Sequence, residues 1–433
     1  MKLGINLESV KYISEMKQEP KWMLNLRCEA FDAYTKLPMP NIKEIREINF
    51  DKLKIYEKPL KKENLWVNLP NKIRKSFEEA GLKQSASMLN GDMVQMQSES
   101  IYSNLSEDIS NMGVIHTDTD TALKEYPDLV KKYFATVIPF NDHKIAALAC
   151  AFWSGGSFVY VPKNVVVELP LHAAYGLQAR NFGQFEHTII AVEDGASVQC
   201  IEGCTSPVGI DQTLHAGTVE MIIGKNAKVK YSTIQNWSKN VYNIVTKRAY
   251  VDDGAELFWA DCNIGSKFTF KNPTIFLNGK NSRAEIASIS IASHGQVQKC
   301  GSKVIHNAQN TNSIIKSKTI SCEGGKNIFA GMVEIKQNAN NAKSYMHCES
   351  MVLDSLSVAE SNPRIISAVN SANVSHEATI SHIDENQLFY LQTKGFSKEK
   401  ARSIIISGIT NDIINLYPEY YAKRIRNLIN MEI

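Results

Sequence analysis

The sequence predicts a mainly β fold, a stacked β-solenoid held between two helical ends. Three observations support it: a turn motif recurs at a near-constant step, the runs between turns are strand-like, and helix-capping residues cluster outside the repeat. The turn pairs Asp or Asn with Gly, Ala or another small or polar residue. It recurs in "EDGASVQ", "GKNAKVK", "DDGAELF", "GKNSRAE", "AQNTNSI" and "QNANNAK". With Ala196, Ala227, Ala255, Ser282, Thr311 and Asn340 as markers, the steps are 31, 28, 27, 29 and 29. One such coil cannot bury its apolar face alone, whereas stacked coils share a continuous core. Their end coils expose unpaired edges that need a cap or a partner.

Residues 1–134 read as helical. "LESVKYISEM" has spaced apolar residues, and "EPKWMLNLRCEAFDAY" places a proline at a helix start. Asp118 or Asp120 suits the N-cap of "DTDTALKEY", a better reading than metal ligation. "KQSASMLNGDMVQMQSES" reads as a loop. Residues 135–380 form the expected solenoid, with "HTIIAVE", "SVQCIEG", "TVEMIIG", "KVKYSTIQNW" and "AEIASISIAS" as strands. Residues 381–433 return to helix: Asp384 caps "ENQLFYLQTK", Gly395 ends it, Ser397 starts the next helix and Pro418 opens the last.

Composition narrows the function. The chain has 433 residues, 43% hydrophobic and 21% charged, with a formal charge of +3 and no basic stripe, so no nucleic-acid partner is expected. No apolar run of 18 residues and no signal-like segment occurs, so neither a membrane partner nor secretion is expected. The eight cysteines include no CxxC pair and suit reduced thiols in a cytoplasmic protein. No GxxxxGK[ST] motif is present, so the chain carries no P-loop of its own.

The stretch "KSYMHCESMVL" contains His347, Cys348 and Glu349. On a strand, Tyr345, His347 and Glu349 face one way and Met346, Cys348 and Ser350 the other, so the triplet cannot chelate one ion. One period on from Cys348 lies His376, followed by Glu377, and stacking would bring them together. A buried apolar filler is the competing reading of Cys348. Cys204 in "IEGCTSP" reads as a turn cysteine, open to chemistry or merely exposed. Gln235, Trp237 and Lys247 could line a channel or form a surface cluster. His172, His187, His215, His294 and His306 show no ligand spacing.

Longer stretches carry a resemblance. "EPKWML", "GVIHTDTDTALKEYPDLVKKYF", "WSGGSFVYVPK", "GQFEHT", "IEGCTSPV", "STIQNWSKNVYNIVTKRA", "NIGSK", "HEAT" and "DENQLFYL", in this order, are similar to the SufB scaffold subunits of the Suf iron–sulfur cluster assembly system. The resemblance implies a right-handed parallel β-helix and a non-enzymatic scaffold on which a nascent iron–sulfur cluster is built. It implies a SufC-like ABC ATPase on the C-terminal helices, a SufD-like subunit or second SufB copy across the core, and a cysteine desulfurase or sulfurtransferase as sulfur donor. The resemblance leaves the use of reduced flavin open. By the same resemblance Cys348, His376 and Glu377 hold the cluster, with Cys348 and His376 on the metal, while Cys204 accepts sulfur and Gln235, Trp237 and Lys247 line its path. Gly176, Gln178, Ala330 and Ser375 depart from the family pattern. The alternatives are an interaction solenoid without a cluster site and a β-helix enzyme or carbohydrate binder, for which acidic clusters are missing.

Overall fold

A computed structural model describes residues 4–57, 62–63, 65–79, 90–206 and 212–432. The repeat is a parallel β-solenoid with two long sheets and helices at both ends of the chain. One sheet has ten strands, from Glu99–Leu105 through Ser197–Thr205, Lys228–Trp237 and Lys343–Val352 to Asn373–His382. The other runs from Ile115–Asp118 through His187–Val192 and Val241–Val251 to Val358–Ser361.

The turn motif is the structural repeat. Gly195, Asn226, Gly254, Asn281, Asn310 and Asn341 all adopt positive φ between successive strands. Gly and Asn tolerate this left-handed conformation best, which explains their recurrence. The markers Ala196, Ala227, Ala255, Ser282 and Thr311 sit beside these turns at 0–1% exposure. The sixth was misplaced by two residues. Asn312 pairs with Lys343, so the level position after Thr311 is Ala342, not Asn340.

The two ends of the solenoid differ. At the first end both sheets close with an antiparallel strand: Glu99–Leu105 on Gly91–Met96, and Ile115–Asp118 on Ser157–Val161. All of these strands except Ser157–Val161 lie ahead of residue 135, and the first two occupy most of the described part of the stretch read as a loop, of which residues 83–89 lie outside the described residues. A buried helix, Lys144–Phe152, interrupts the strand-rich part; "KIAALACAF" is apolar on nearly every face. At the other end Asn373–His382, Val358–Ser361 and Arg364–Ser367 are parallel edge strands with no further described strand beyond them. Ile365, Ile366 and Ile380 are exposed there. An apolar open edge of this kind is a surface for pairing with another chain.

The N-terminal helices pack on the second sheet. Arg27, fully buried, pairs with Glu19 at 2.6 Å and donates to the carbonyls of Ala151 and Trp153. Asp118 caps its helix by accepting from the Thr121 amide, and Lys17 pairs with Asp120 at 2.6 Å. The C-terminal helices Lys398–Ile414 and Glu419–Glu432 cover the outer face of the first sheet. Ile406, Ile413, Tyr421 and Ile425 meet Ile234, Ile289 and Ile320 there. Asp384 and Ser397 cap their helices, and Gly395 has φ 92°.

His306 ties a strand end to the following turn through Thr311 and Ser313, at 2.7 and 2.9 Å. Burial lowers its pKa to about 4. The unfolded chain therefore binds a proton that the fold excludes between about pH 6.5 and pH 4. The stability this histidine contributes at neutral pH is lost as pH falls through that window, at up to about 1.4 kcal/mol per pH unit. We expect His306→Gln to flatten the pH dependence of the urea unfolding free energy between pH 7 and pH 5 by about one proton. An unchanged slope would show that His306 already titrates normally in the fold.

Candidate functional site

Strand alternation and coil stacking together place a polar line inside the solenoid. Two neighbouring inward ladders run along the first sheet. One is Glu202, Thr233, Asp261, Ser288, Ser317, Cys348. The other is Cys204, Gln235, Asn263, Ser290, Thr319, Ser350. All twelve residues are buried. Five inter-strand steps at ~4.8 Å make each ladder about 24 Å long. Burying polar groups costs free energy unless they are bonded, so their partners matter.

The second sheet supplies many of those partners. Lys247 donates to the Tyr231 hydroxyl at 2.6 Å and lies 3.4 Å from Glu202, to which Tyr231 also donates. Lys271 pairs with Asp261 at 2.6 Å and reaches Gln235 at 3.2 Å; Thr233 donates to Asp261 as well. Ser290 donates to Asn327 at 2.8 Å, Ser288 to Ser317 at 3.1 Å, and Thr319 to Ser350 at 2.9 Å. Satisfaction is incomplete: Glu186 Oε2, Glu202 Oε1, Asn243 Oδ1, Asn263 Oδ1 and Trp237 Nε1 are buried without a hydrogen-bond partner. Such atoms cost about 1–3 kcal/mol each.

Cys204 is an interior strand residue, 4% exposed, and not the accessible turn cysteine expected; its strand runs to Thr205. Burial, then the Glu186 carboxyl, pushes its pKa far above the usual thiol range, against the pull of Lys247. Gln235 is its ladder neighbour, and Trp237 and Lys247 are interior too, so the surface-cluster reading of these three fails. His215, read as an ordinary histidine, packs against Trp237 with ring centroids 4.7 Å apart and the planes tilted by 40°, and it shares a buried pocket with Glu186 and Cys204. Burial, and then the Lys247 and Lys271 cations, lower its pKa to about 3. Burial and the Glu202 charge raise that of Glu186 well above the carboxylate range. The 31-residue step that joins Ala196 to Ala227 also puts His215 level with Gln184, two residues before Glu186.

Cys348 lies at the open end, inward-facing and 2% exposed. Burial raises its pKa to about 11, with a Ser361 hydrogen bond acting the other way. The expected stacking on His376 is corrected by the register. His376 sits level with Met346, and Cys348 with Ala378. His376 still shares the inward face, one inward position away, and its Nε2 is buried without a partner. Glu377 is not brought to Cys348: it pairs with His347 on the outer face and accepts from the Tyr345 hydroxyl at 3.3 Å. Gly176, Ala330 and Ser375 also alternate outward, so these departures from the family pattern leave both ladders intact.

The C-terminal helices keep an apolar surface that the solenoid does not cover. Phe389 and Tyr390 are 68% and 60% exposed on the Glu385–Thr393 helix, near Phe396. Among the described residues no helix is long and apolar enough to cross a membrane.

Comparison with known proteins agrees with this architecture. Residues 175–409 match the family profile described as SUF system FeS cluster assembly, SufBD core domain, and residues 8–173 match the SufBD protein N-terminal region. An iron-sulfur cluster assembly SufBD family protein of Staphylococcus haemolyticus is 41% identical over 432 residues, 99% of this chain and 93% of the relative. Its counterpart in Staphylococcus aureus strain MRSA252 is 42% identical over the same shares. With family profiles and relatives both spanning nearly its whole length, the chain belongs to the SufBD family of the SUF iron–sulfur cluster assembly system.

Proposed function

We propose that this chain is the SufB-type scaffold of its system, taking up sulfur at Cys204 and building the cluster at Cys348. The observation that carries this reading is the pair of buried polar ladders joining those two cysteines. In the first step the Cys204 sulfur attacks the outer sulfur of a donor persulfide as its thiol proton passes to the departing donor sulfur. The S–S bond breaks, the donor leaves as a thiol, and Cys204 becomes the persulfide, with no net redox change. Conversion of that sulfur to sulfide takes two electrons from an external reductant such as reduced flavin. Gln235, Lys247 and Trp237 line the start of the path, with Lys271 and Asn263 beside it. At the open end Cys348 supplies a thiolate for iron and His376 an imidazole. The uncovered edge strands favour completion of the site by a second chain, a SufD-like subunit or another copy.

Anaerobic loading with a persulfide donor, followed by counting sulfane sulfur per chain, tests the entry point. Cys204→Ser should take up little sulfur, while Cys348→Ala should still load at Cys204. Wild-type loading by Cys204→Ser would sink the path.

ATP hydrolysis belongs to a SufC-like partner on this reading, and the exposed aromatic face at Phe389 and Tyr390 suits its docking. Changing both to Asp should leave the packed helices in place and weaken co-purification with the ATPase at least about tenfold, ~1.4 kcal/mol. Undiminished recovery of the ATPase would move the docking surface elsewhere.

A further inference from the structure

We infer that Glu186, Cys204 and His215 form an interior metal site for one borderline-soft divalent ion of the Fe2+ or Zn2+ class. It lies at the opposite end of the ladders from Cys348. A carboxylate oxygen, the cysteine sulfur and an imidazole nitrogen lie within 4.8 Å of one another, and all three residues are buried.

Four features of the pocket support a ligand set over chance packing. The first is the histidine tautomer. Gln184 Nε2 donates to the carbonyls of Gln97 and Gly176, so its Oε1 faces His215 Nδ1, 3.1 Å away, and accepts its proton. His215 Nε2 is left as the free nitrogen pointing at Glu186. A bonded outer nitrogen of this kind orients a metal-binding imidazole. The second is spacing. His215 Nε2 and Glu186 Oε1 are 3.4 Å apart, long for a hydrogen bond but close to the roughly 3.4 Å between two ligands on one tetrahedral ion with bonds of about 2.0–2.1 Å.

The third feature is the unpartnered Glu186 Oε2, a buried carboxyl oxygen with nothing in the protein to bond it. The fourth is Gly217. A Cβ there would stand 2.9 Å from Glu186 Oε1 and 3.1 Å from His215 Nε2, so the missing side chain leaves room beside both ligand atoms. Three protein ligands leave one position open, the pattern of a reactive metal site. The chemistry balances: an arriving dication displaces one proton from the Cys204 thiol and one from the Glu186 carboxyl, and the site stays neutral. Mixed sulfur, nitrogen and oxygen donors suit Fe2+ or Zn2+ and disfavour Mg2+ or Ca2+.

Co2+ titration of the full-length chain under anaerobic conditions tests the site, with the thiolate-to-cobalt charge-transfer band as readout. The titration is run on Cys348→Ala, which removes the thiolate of the open end, and this chain should bind one Co2+ with that band. Adding Cys204→Ser should abolish the band. Gly217→Ala keeps all three ligands but fills the space, and should lower Co2+ affinity at least roughly tenfold. Circular dichroism of each variant verifies the fold. A Cys348→Ala chain without the band, a band that survives the addition of Cys204→Ser, or unchanged affinity in folded Cys348→Ala with Gly217→Ala would overturn the assignment. No sulfur donor is present in this titration, so its outcome is independent of whether Cys204 accepts sulfur.

Discussion

Replacing Cys348 with alanine should reduce the sulfide and the sulfide-bridged cluster iron retained after anaerobic reconstitution by at least about tenfold, the scale of losing one strong ligand. Its sulfur is the only thiol of the last two inward coils of the first sheet, level with Ser317 below and Ala378 above. No neighbouring cysteine on that face can take its place. Removing one sulfur from a residue that is 2% exposed should cost only about 1 kcal/mol of stability, so the variant should fold. Because its pKa is raised to about 11, iron must displace a proton from the Cys348 thiol near neutral pH. Retention of cluster iron should therefore rise with pH in wild type and not in the variant. Equal cluster iron and sulfide in folded Cys348→Ala, measured with the partner subunits present, would remove Cys348 from the cluster site.

The second large effect is on stability. Lys271→Met should destabilise the chain by roughly 3–5 kcal/mol, the cost of breaking a buried ion pair from one side. Lys271 is 0% exposed, 2.6 Å from an Asp261 carboxylate that is also buried. Burial opposes ionisation of Asp261, but the Lys271 and Lys247 charges and the bonds from Lys271 and Thr233 outweigh it, so its pKa lies below the usual range. A depressed carboxylate pKa adds stability above the unfolded value of ~3.9, and that stability is lost as pH falls through the folded value. Lys271→Met removes the main cation and should remove most of this contribution. The double variant with Asp261→Asn should recover much of the loss, since no charge is then left unpaired. Urea unfolding of the three proteins decides it. A loss under about 1 kcal/mol in Lys271→Met would mean that the pair behaves like a solvent-exposed one.

Several features could be read from the sequence because they are local. The left-handed turn positions recur as Gly or Asn since few other residues tolerate that backbone. Helix caps at Asp118, Asp384 and Ser397 were visible for the same reason: a side-chain oxygen and an amide two or three residues on are enough to form them. The inward and outward sorting of Tyr345 to Val352 follows from the two-residue period of a strand. These rules also split Cys348 from His347 and Glu349, while the structure shows that the Cys348 face is the inward one.

Other features depend on which coil lies level with which. Coil lengths vary, and each level is settled by hydrogen bonds between strands some thirty residues apart. Repeat counting therefore slipped by two at Asn340, and His376 landed level with Met346 instead of Cys348. Cys204 looked like a turn residue because Gly203 and Pro207 flank it; the sheet carries it inside. Glu186 and His215 share no sequence pattern with Cys204, and only the closing of one coil on the next brings the three together. The solenoid, its turns and the alternation of its strands are legible in the residue order, because backbone conformation within a few residues decides them. The tertiary structure alone decided the polar ladders, the open end and the Glu186–Cys204–His215 pocket, because contacts across coils depend on register and closure, which no short stretch encodes.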